Sequence, residues 1–149
     1  MSSAAEIATQ RVPQDQDKNP WWIGAVGYEI YIRSFADADG SGIGDLIGIQ
    51  DKLEYLSWLG VDAIWITPFY KSPGFDHGYD VADYCGINPS HGSLEDFDKL
   101  VSKAHKLGLR VIVDLVPNHS SSHHAWFQNA LTSKEAEFRD FYIWRDPAP

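Results

Sequence analysis

Cysteine is almost missing: Cys85 is the single thiol in 149 residues. An internal disulfide is therefore excluded, and a lone thiol suits a reducing compartment. No apolar run approaches the roughly 20 residues that a membrane helix needs. The first twenty residues hold Ser, Gln, Asp, Asn and Pro without the apolar stretch of a secretory leader. The expectation is a cytoplasmic chain with a mobile lead-in over residues 1–20. Positive charge is scarce too. Twelve Lys and Arg against 21 Asp and Glu leave a formal net charge of −9, a surface that repels nucleic acid and anionic membrane. Neither is expected as a partner. There is no internal repeat on the scale of roughly 20–50 residues and no low-complexity tract.

What is present is apolar and aromatic. Apolar residues make up 44% and aromatics 13%, which suits a globular domain with a real core and excludes disorder for most of the chain. The rings are expected in the core first, with stacking on sugar faces as their second use.

The segment Gly27-Tyr28-Glu29-Ile30-Tyr31-Ile32-Arg33 is dense in β-branched and aromatic residues and predicts a strand. A helical pattern follows, with Ile49, Leu53, Leu56 and Leu59 near one face and Gly60 as its stop. Val61–Thr67 predicts a second strand, closed by Pro68. The stretch from Phe69 to Gly92 is so rich in Gly, Pro and Asp that it reads as a long loop without regular structure, a length that in compact domains usually carries function. Ser93 opens another helix, with Asp96 three residues on as a capping partner. Its buried stripe is expected to be Phe97, Leu100, Val101, Ala104 and Leu107, and Gly108 ends it. Leu109–Val116 predicts a third strand.

Strands joined through helices imply parallel pairing. Either a doubly wound sheet or a (β/α)8 barrel fits. The first loop lacks a G-x-G-x-x-G fingerprint, which weakens the dinucleotide reading. A barrel needs about 250 residues, so a barrel here would be unfinished.

In parallel α/β folds the loops that follow the strands share one face and carry active sites, and three polar constellations fall in or beside such loops. The first is Asp37-Ala38-Asp39-Gly40-Ser41-Gly42-Ile43-Gly44-Asp45. Oxygen donors at alternate positions suit a hard cation. The spacing imitates an EF-hand up to its ninth position, but Gly48 stands where a bidentate Glu is needed. On spacing alone a metal loop and a solvated Asp/Gly turn are evenly balanced. The second is Asp76-His77-Gly78-Tyr79-Asp80-Val81-Ala82-Asp83-Tyr84, where a carboxylate could accept paired hydroxyls and a tyrosine ring could stack on a pyranose. An Asx-turn with solvated carboxylates explains the same residues equally well. The third is Asp114-Leu115-Val116-Pro117-Asn118-His119. Asp114 lies in an apolar run and must be paired, while His119 could donate to a sugar hydroxyl or be a satisfied structural histidine. His77, His91, His105, His123 and His124 are read as structural, since their spacing offers no metal triad.

The segment 114–119 resembles the first signature region of the α-amylase family of glycoside hydrolases. Asp76 to Asp80 resembles the segment that holds the terminal glucose in its α-glucosidases and oligo-1,6-glucosidases, and 37–45 resembles their metal loop. His124-Ala125-Trp126-Phe127 and Tyr142-Ile143-Trp144-Arg145-Asp146-Pro147 are similar to maltase-like members. The resemblance covers about residues 21–149.

It implies the first three βα units of a (β/α)8 TIM barrel over 21–117, with the start of an inserted small domain over 118–149. Asp76, Tyr79 and His119 are then sugar-binding, and Asp114 is a structural aspartate that pairs with an arginine further along the family's chain. Asp37, Asp39, Ile43 (through its carbonyl) and Asp45 form a structural Ca²⁺ or Mg²⁺ site, with Ser41 where the usual Asp stands. No organic cofactor is implied, and the partner is a small α-glucoside. The family's retaining chemistry uses two carboxyl groups about 5–5.5 Å apart, carried on its fourth and fifth strands. No residue of this chain matches either, so none is assigned a catalytic role. The expected whole protein is an α-glucosidase acting on short oligosaccharides, inactive as this fragment. Trehalose synthases and sucrose isomerases share these motifs and are the first alternative. A non-catalytic binding subunit is the second. Three parallel strands without neighbours also lead us to expect poor solubility or a molten state of the 149-residue piece alone.

Overall fold

The structure is a computed structural model and describes residues 20–146. The lead-in expected over 1–20 lies outside the described residues but for Pro20, as does the segment 147–149. The chain divides into two compact units. One comprises the described residues up to Thr67 together with Pro89–Asp114, and the other comprises Pro68–Asn88 and the described residues from Leu115 onward.

The first unit is built on a parallel three-stranded sheet of β1 (Gly27–Ile30), β2 (Ala63–Ile66) and β5 (Arg110–Val113), in the order β1-β2-β5. Register aligns Ile30 with Ile66 and Ile66 with Val113. The rows alternate, as pleating requires. Ile30, Ile64 and Ile66 are buried, whereas the row Glu29–Trp65–Ile112 is exposed. The helices α2 (Leu46–Leu59) and α3 (Leu94–Lys106) make the two crossovers. Leu46, Ile49, Leu53 and Leu56 of α2 and Leu100 and Ala104 of α3 complete the core.

All three expected strands are shorter than their apolar runs. β1 stops at Ile30, and Ile32–Phe35 forms a single helical turn, α1. The Ile32 amide leaves the ladder to donate to the Thr67 hydroxyl at 3.2 Å, while the Thr67 amide donates to the Ile30 carbonyl at 3.0 Å. The helices follow their punctuation. Asp45 caps α2 through the Gly48 amide, and Gly60 ends it at φ 89°. Leu59 does not join the buried stripe, being 47% exposed. α3 opens on the full reciprocal capping box between Ser93 and Asp96. Phe97, Val101 and Leu107 on its stripe are only half-buried.

In the second unit the expected structureless stretch is partly regular. β3 (Tyr70–Lys71) pairs antiparallel with β4 (Asp83–Ile87), with an irregularity between Tyr70 and Lys71. The Lys71 ammonium sits 3.1 Å from the Asp83 carboxylate across this pair. The rest of the unit is the short helix α4 (Ala125–Ala130) and a 3-10 turn at Arg139–Phe141. Val81, Ile87, Val116 and Ala130 are buried in it, and ring contacts add to them. Phe127 and Trp144 stack at 8° between planes, and the Arg139 guanidinium lies 3.4 Å above the Trp144 ring. The same arginine donates to the Ala130 carbonyl at 2.9 Å, which ties the turn to the end of α4. No helix among the described residues is long and apolar enough to cross a membrane.

Candidate functional site

The segment between β3 and β4 is folded around one carboxylate. Asp80 accepts from the Ser72 hydroxyl at 2.6 Å, the Phe75 amide at 3.0 Å and the Asp76 amide at 3.2 Å. Burial of Asp80 opposes its ionisation, yet the donors from Ser72, Phe75 and Asp76 outweigh burial and hold its pKa below the usual 3.8. Within this wrap the chain reverses at Asp76-His77-Gly78-Tyr79. The Tyr79 amide donates to the Asp76 carbonyl at 2.8 Å, and the two central residues have φ of 52° and 100°, the left-handed pair of a type I′ turn. Gly78 also passes so close to the residue after Thr67 that a Cβ there would stand 2.5 Å from the Pro68 carbonyl oxygen.

His119 reaches this turn. Its Nε2 lies 3.1 Å from the Tyr79 carbonyl and its Nδ1 lies 3.3 Å from the Asn118 amide nitrogen. Protonated at Nε2, the ring directs that hydrogen at the backbone, so any ligand acceptor must share it. The chain leading to His119 is held by Tyr84, whose hydroxyl lies 2.8 Å from the Val116 carbonyl and 2.7 Å from the His119 carbonyl. Burial raises the Tyr84 pKa above 10, with the neighbouring Tyr142 adding to it, so the hydroxyl keeps the proton it shares between them. The structure thus links the three expected sugar-binding residues. Asp76 and Tyr79 close one turn, and His119 is bonded to it. Asp76 and His119 are exposed and Tyr79 is half-buried, leaving their polar edges within reach of a ligand.

Beside His119 the same unit holds a cavity of about 580 Å³, lined by Tyr84, Asn118, His119, Trp126, Phe141 and Tyr142 among others. Its volume falls within the ordinary range of small-ligand sites. Asp76 and Tyr79 do not line it. The aromatic wall is ordered from His124, whose Nδ1 accepts from the Trp126 amide at 3.1 Å and whose ring is 4.5 Å from that of Trp126. Burial lowers the His124 pKa below 6.5, against a raising pull from Asp83.

In the first unit Asp114 is half-buried at the end of β5, where the Trp65 indole donates to its carboxylate at 3.2 Å. The pairing demanded by its apolar surroundings is therefore met in part by a tryptophan on the adjacent strand.

The acidic loop also gathers as expected. Asp37, Asp39 and Asp45 each place a carboxylate oxygen within 4.8 Å of the others. An all-oxygen set of this kind suits a hard cation. Backbone donors occupy part of it. Asp37 accepts from Gly40 at 2.8 Å and Gly42 at 2.7 Å, and Asp45 accepts from Ala38 at 2.9 Å. The Gly42 amide above all lowers the Asp37 pKa below 3.8, with desolvation opposing and the Gly40 amide adding to the lowering. A carboxylate has lone pairs for both an amide and an ion, so the donor set fits. The Ser41 hydroxyl, however, lies 3.3 Å from the Ile43 carbonyl and donates to it, drawing on the oxygen assigned to the cation. Gly48 explains why an EF-hand is impossible. Any Cβ there would overlap the Ala36 carbonyl, so no glutamate can occupy the twelfth position.

Three residues organise these sites although the motifs do not assign them that task. Asp80 folds the 72–80 segment, and Tyr84 holds the 116–119 segment. His91 is buried and its Nδ1 lies 2.8 Å from the Gly44 carbonyl, fixing the end of the acidic loop. The structural reading of His91 agrees with this. Nothing in local spacing marks the other two, because their partners are mostly backbone groups.

The parallel sheet with helical crossovers defines an α/β scaffold. Residues 29–149 match the α-amylase catalytic domain, and the chain belongs to that family of (β/α)8 proteins. It is 53% identical over 131 residues to trehalose-6-phosphate hydrolase of Bacillus subtilis, an alignment covering 88% of this chain and 23% of that protein. Maltase 1 of Drosophila virilis is 50% identical over 145 residues, which cover 97% of this chain and 23% of the maltase. Among solved structures, a mutant of the trehalulose synthase MutB in complex with Tris matches with a TM-score of 0.85 and 50% identity, over 87% of this chain and 24% of that one. The chain thus spans about a quarter of the length of these relatives.

Proposed function

We propose that this chain is the N-terminal part of a retaining α-glucosidase that removes terminal α-linked glucose from short oligosaccharides. The observation that carries the reading is the linked trio of Asp76, Tyr79 and His119, joined by the 2.8 Å turn bond and the 3.1 Å imidazole contact. In this reading Asp76 accepts two glucose hydroxyls, the Tyr79 ring packs on the CH face of the pyranose, and His119 orients a further hydroxyl. Family membership supports the choice of substrate class. The nucleophile and the general acid are proposed to lie outside residues 1–149, so these residues bind one end of the substrate and do not cleave it.

The acidic loop is proposed to hold a structural Ca²⁺ or Mg²⁺ through Asp37, Asp39, Asp45 and the Ile43 carbonyl. Bound there, the cation would stiffen the loop that leads into α2, and it takes no part in bond cleavage.

The test is an assay of the complete polypeptide on maltose, isomaltose and sucrose, with the anomer of the first product read by NMR. Release of α-glucose is the expected result. No release from any of the three overturns the reading. Conversion of sucrose to another disaccharide without free glucose would instead favour glucosyl transfer, which the likeness to trehalulose synthase MutB supports as the second reading.

A further inference from the structure

We propose that Asp80 is a positioning residue for the glucosyl grip, setting the place of Asp76 and Tyr79 by holding the 72–80 segment in its wrapped form. The proposal rests on the reading that Asp76, Tyr79 and His119 receive the terminal sugar.

The geometry is specific. Oδ1 of Asp80 takes the Ser72 hydroxyl and the Asp76 amide, and Oδ2 takes the Phe75 amide. These donors come from the start and the middle of the segment and Asp80 stands at its end, so the carboxylate closes it as a ring. The Ser72 hydroxyl in turn accepts from the Gly74 amide at 2.9 Å, which extends the ring by one residue. The Asp76 amide, the backbone group nearest the gripping carboxylate, is bonded directly to Asp80. Residues 77 and 78 hold left-handed conformations between the two gripping residues. A non-glycine residue at φ 52° costs free energy, and the turn persists only where its surroundings over-determine it. Asp80 on one side and the Pro68 carbonyl against Gly78 on the other supply that constraint. Without the carboxylate, the segment from Ser72 to Asp76 loses its shared acceptor. The Asp76 side chain then explores positions that no longer match paired hydroxyls on one pyranose.

Asp80→Asn is the sharpest variant. It keeps Oδ1 as acceptor but turns an amide NH2 toward the Phe75 N–H, replacing a bond by a repulsion. Ser72→Ala removes one donor to Asp80 without touching any residue assigned to the sugar. In the complete polypeptide, inhibition by free glucose reports the grip alone, and kcat and KM on maltose report the reaction. Asp80→Asn is expected to weaken glucose inhibition by roughly tenfold, with a rise in KM larger than the fall in kcat and no loss of near-UV circular dichroism. Ser72→Ala is expected to weaken it severalfold. Asp76→Asn is the control for the underlying reading. If it weakens glucose inhibition tenfold or more while Asp80→Asn and Ser72→Ala stay within about twofold of the parent, the positioning role is overturned and the grip stands. If Asp76→Asn itself has no effect, the grip fails and the positioning role falls with it. Should Asp80→Asn not fold, Ser72→Ala decides alone, with a severalfold loss supporting the proposal and no change overturning it.

Discussion

Two single residues show how much the first unit depends on close backbone approach and on charge. Gly48 lies in the first turn of α2, where alanine would ordinarily gain about 1 kcal/mol of helix propensity. A Cβ there overlaps the Ala36 carbonyl, and the helix start is pinned by the 2.6 Å bond from the Gly48 amide to Asp45. Gly48→Ala is therefore expected to lower stability by about 1–3 kcal/mol, read as a fall in Tm, and an unchanged or raised Tm would refute the clash. Charge matters most at His91. Burial pushes its pKa below 6.5, with the Gly44 carbonyl opposing. Below about pH 6.5 the unfolded chain takes up a proton that the folded chain resists, so stability falls as pH is lowered through that range. His124, also lowered by burial, acts in the same direction. The lowered carboxylates Asp37, Asp80 and Asp96 act in a separate window, since their contribution is present above 3.8 and is lost as pH falls through their folded values. His91→Gln cannot titrate, so its Tm should fall less steeply than the parent's between about pH 6.5 and 5. An identical slope in both proteins would mean that His91 does not contribute to the acid sensitivity.

At the scale of elements, α3 is the clearest case of a helix announced by its own residues. Ser93 and Asp96 exchange both bonds of the capping box, with the Ser93 hydroxyl receiving the Asp96 amide at 3.2 Å and the Ser93 amide donating to Asp96 at 2.9 Å. Ser93→Ala is expected to cost about 1 kcal/mol, measured by denaturant titration, and Ser93→Gly a few tenths. A larger loss for glycine than for alanine would show that backbone freedom, and not the cap, decides how firmly this helix begins. The acidic loop offers the companion test. A chelator should lower the Tm of the parent and leave that of Asp37→Asn nearly unmoved, and equal shifts in both would take the cation away from this loop.

Local signals and distant ones differ in what the sequence reveals. α2 and α3 are legible because the stop at Gly60, the cap at Ser93 and the helical spacing of Leu53, Leu56, Leu100 and Ala104 are local. β3 and β4 are hidden because a two-residue strand has no period of its own, and its pairing of Tyr70 with Ile87 and Lys71 with Asp83 is made over distances that composition does not record. The candidate site divides in the same way. Asp76, Tyr79 and His119 are visible through resemblance, whereas residue types alone leave them balanced against an ordinary turn. Asp80, which accepts from the Asp76 amide, stands in the same motif, but its task is not legible there because its partners are a serine and two backbone amides.

At the scale of the whole chain, the parallel sheet decides how these 149 residues behave by themselves. β1 and β5 are its outer strands, and among the described residues no further strand pairs with their outer edges, which are edges of the kind that recruit other chains. One face of the sheet is covered by α2 and α3. The opposite face carries Trp65, 38% exposed, and Ile112, 43% exposed. In a closed eight-stranded barrel both problems disappear together, since closure removes the edges and layers of side chains fill the interior. A three-stranded piece has neither remedy. The net charge of −9 opposes association at long range, but salt screens it over about 8–10 Å at ordinary ionic strength, while edge pairing acts at contact distance. We therefore expect the 149-residue polypeptide, expressed alone, to run as aggregates on size exclusion or to give broad, poorly dispersed amide NMR signals. The aggregates should grow as salt is raised, because screening removes the repulsion that opposes them. A monomer with sharp, dispersed amide signals would show that the edges are protected by something other than barrel closure, and would make this N-terminal part of the scaffold an independent folding unit.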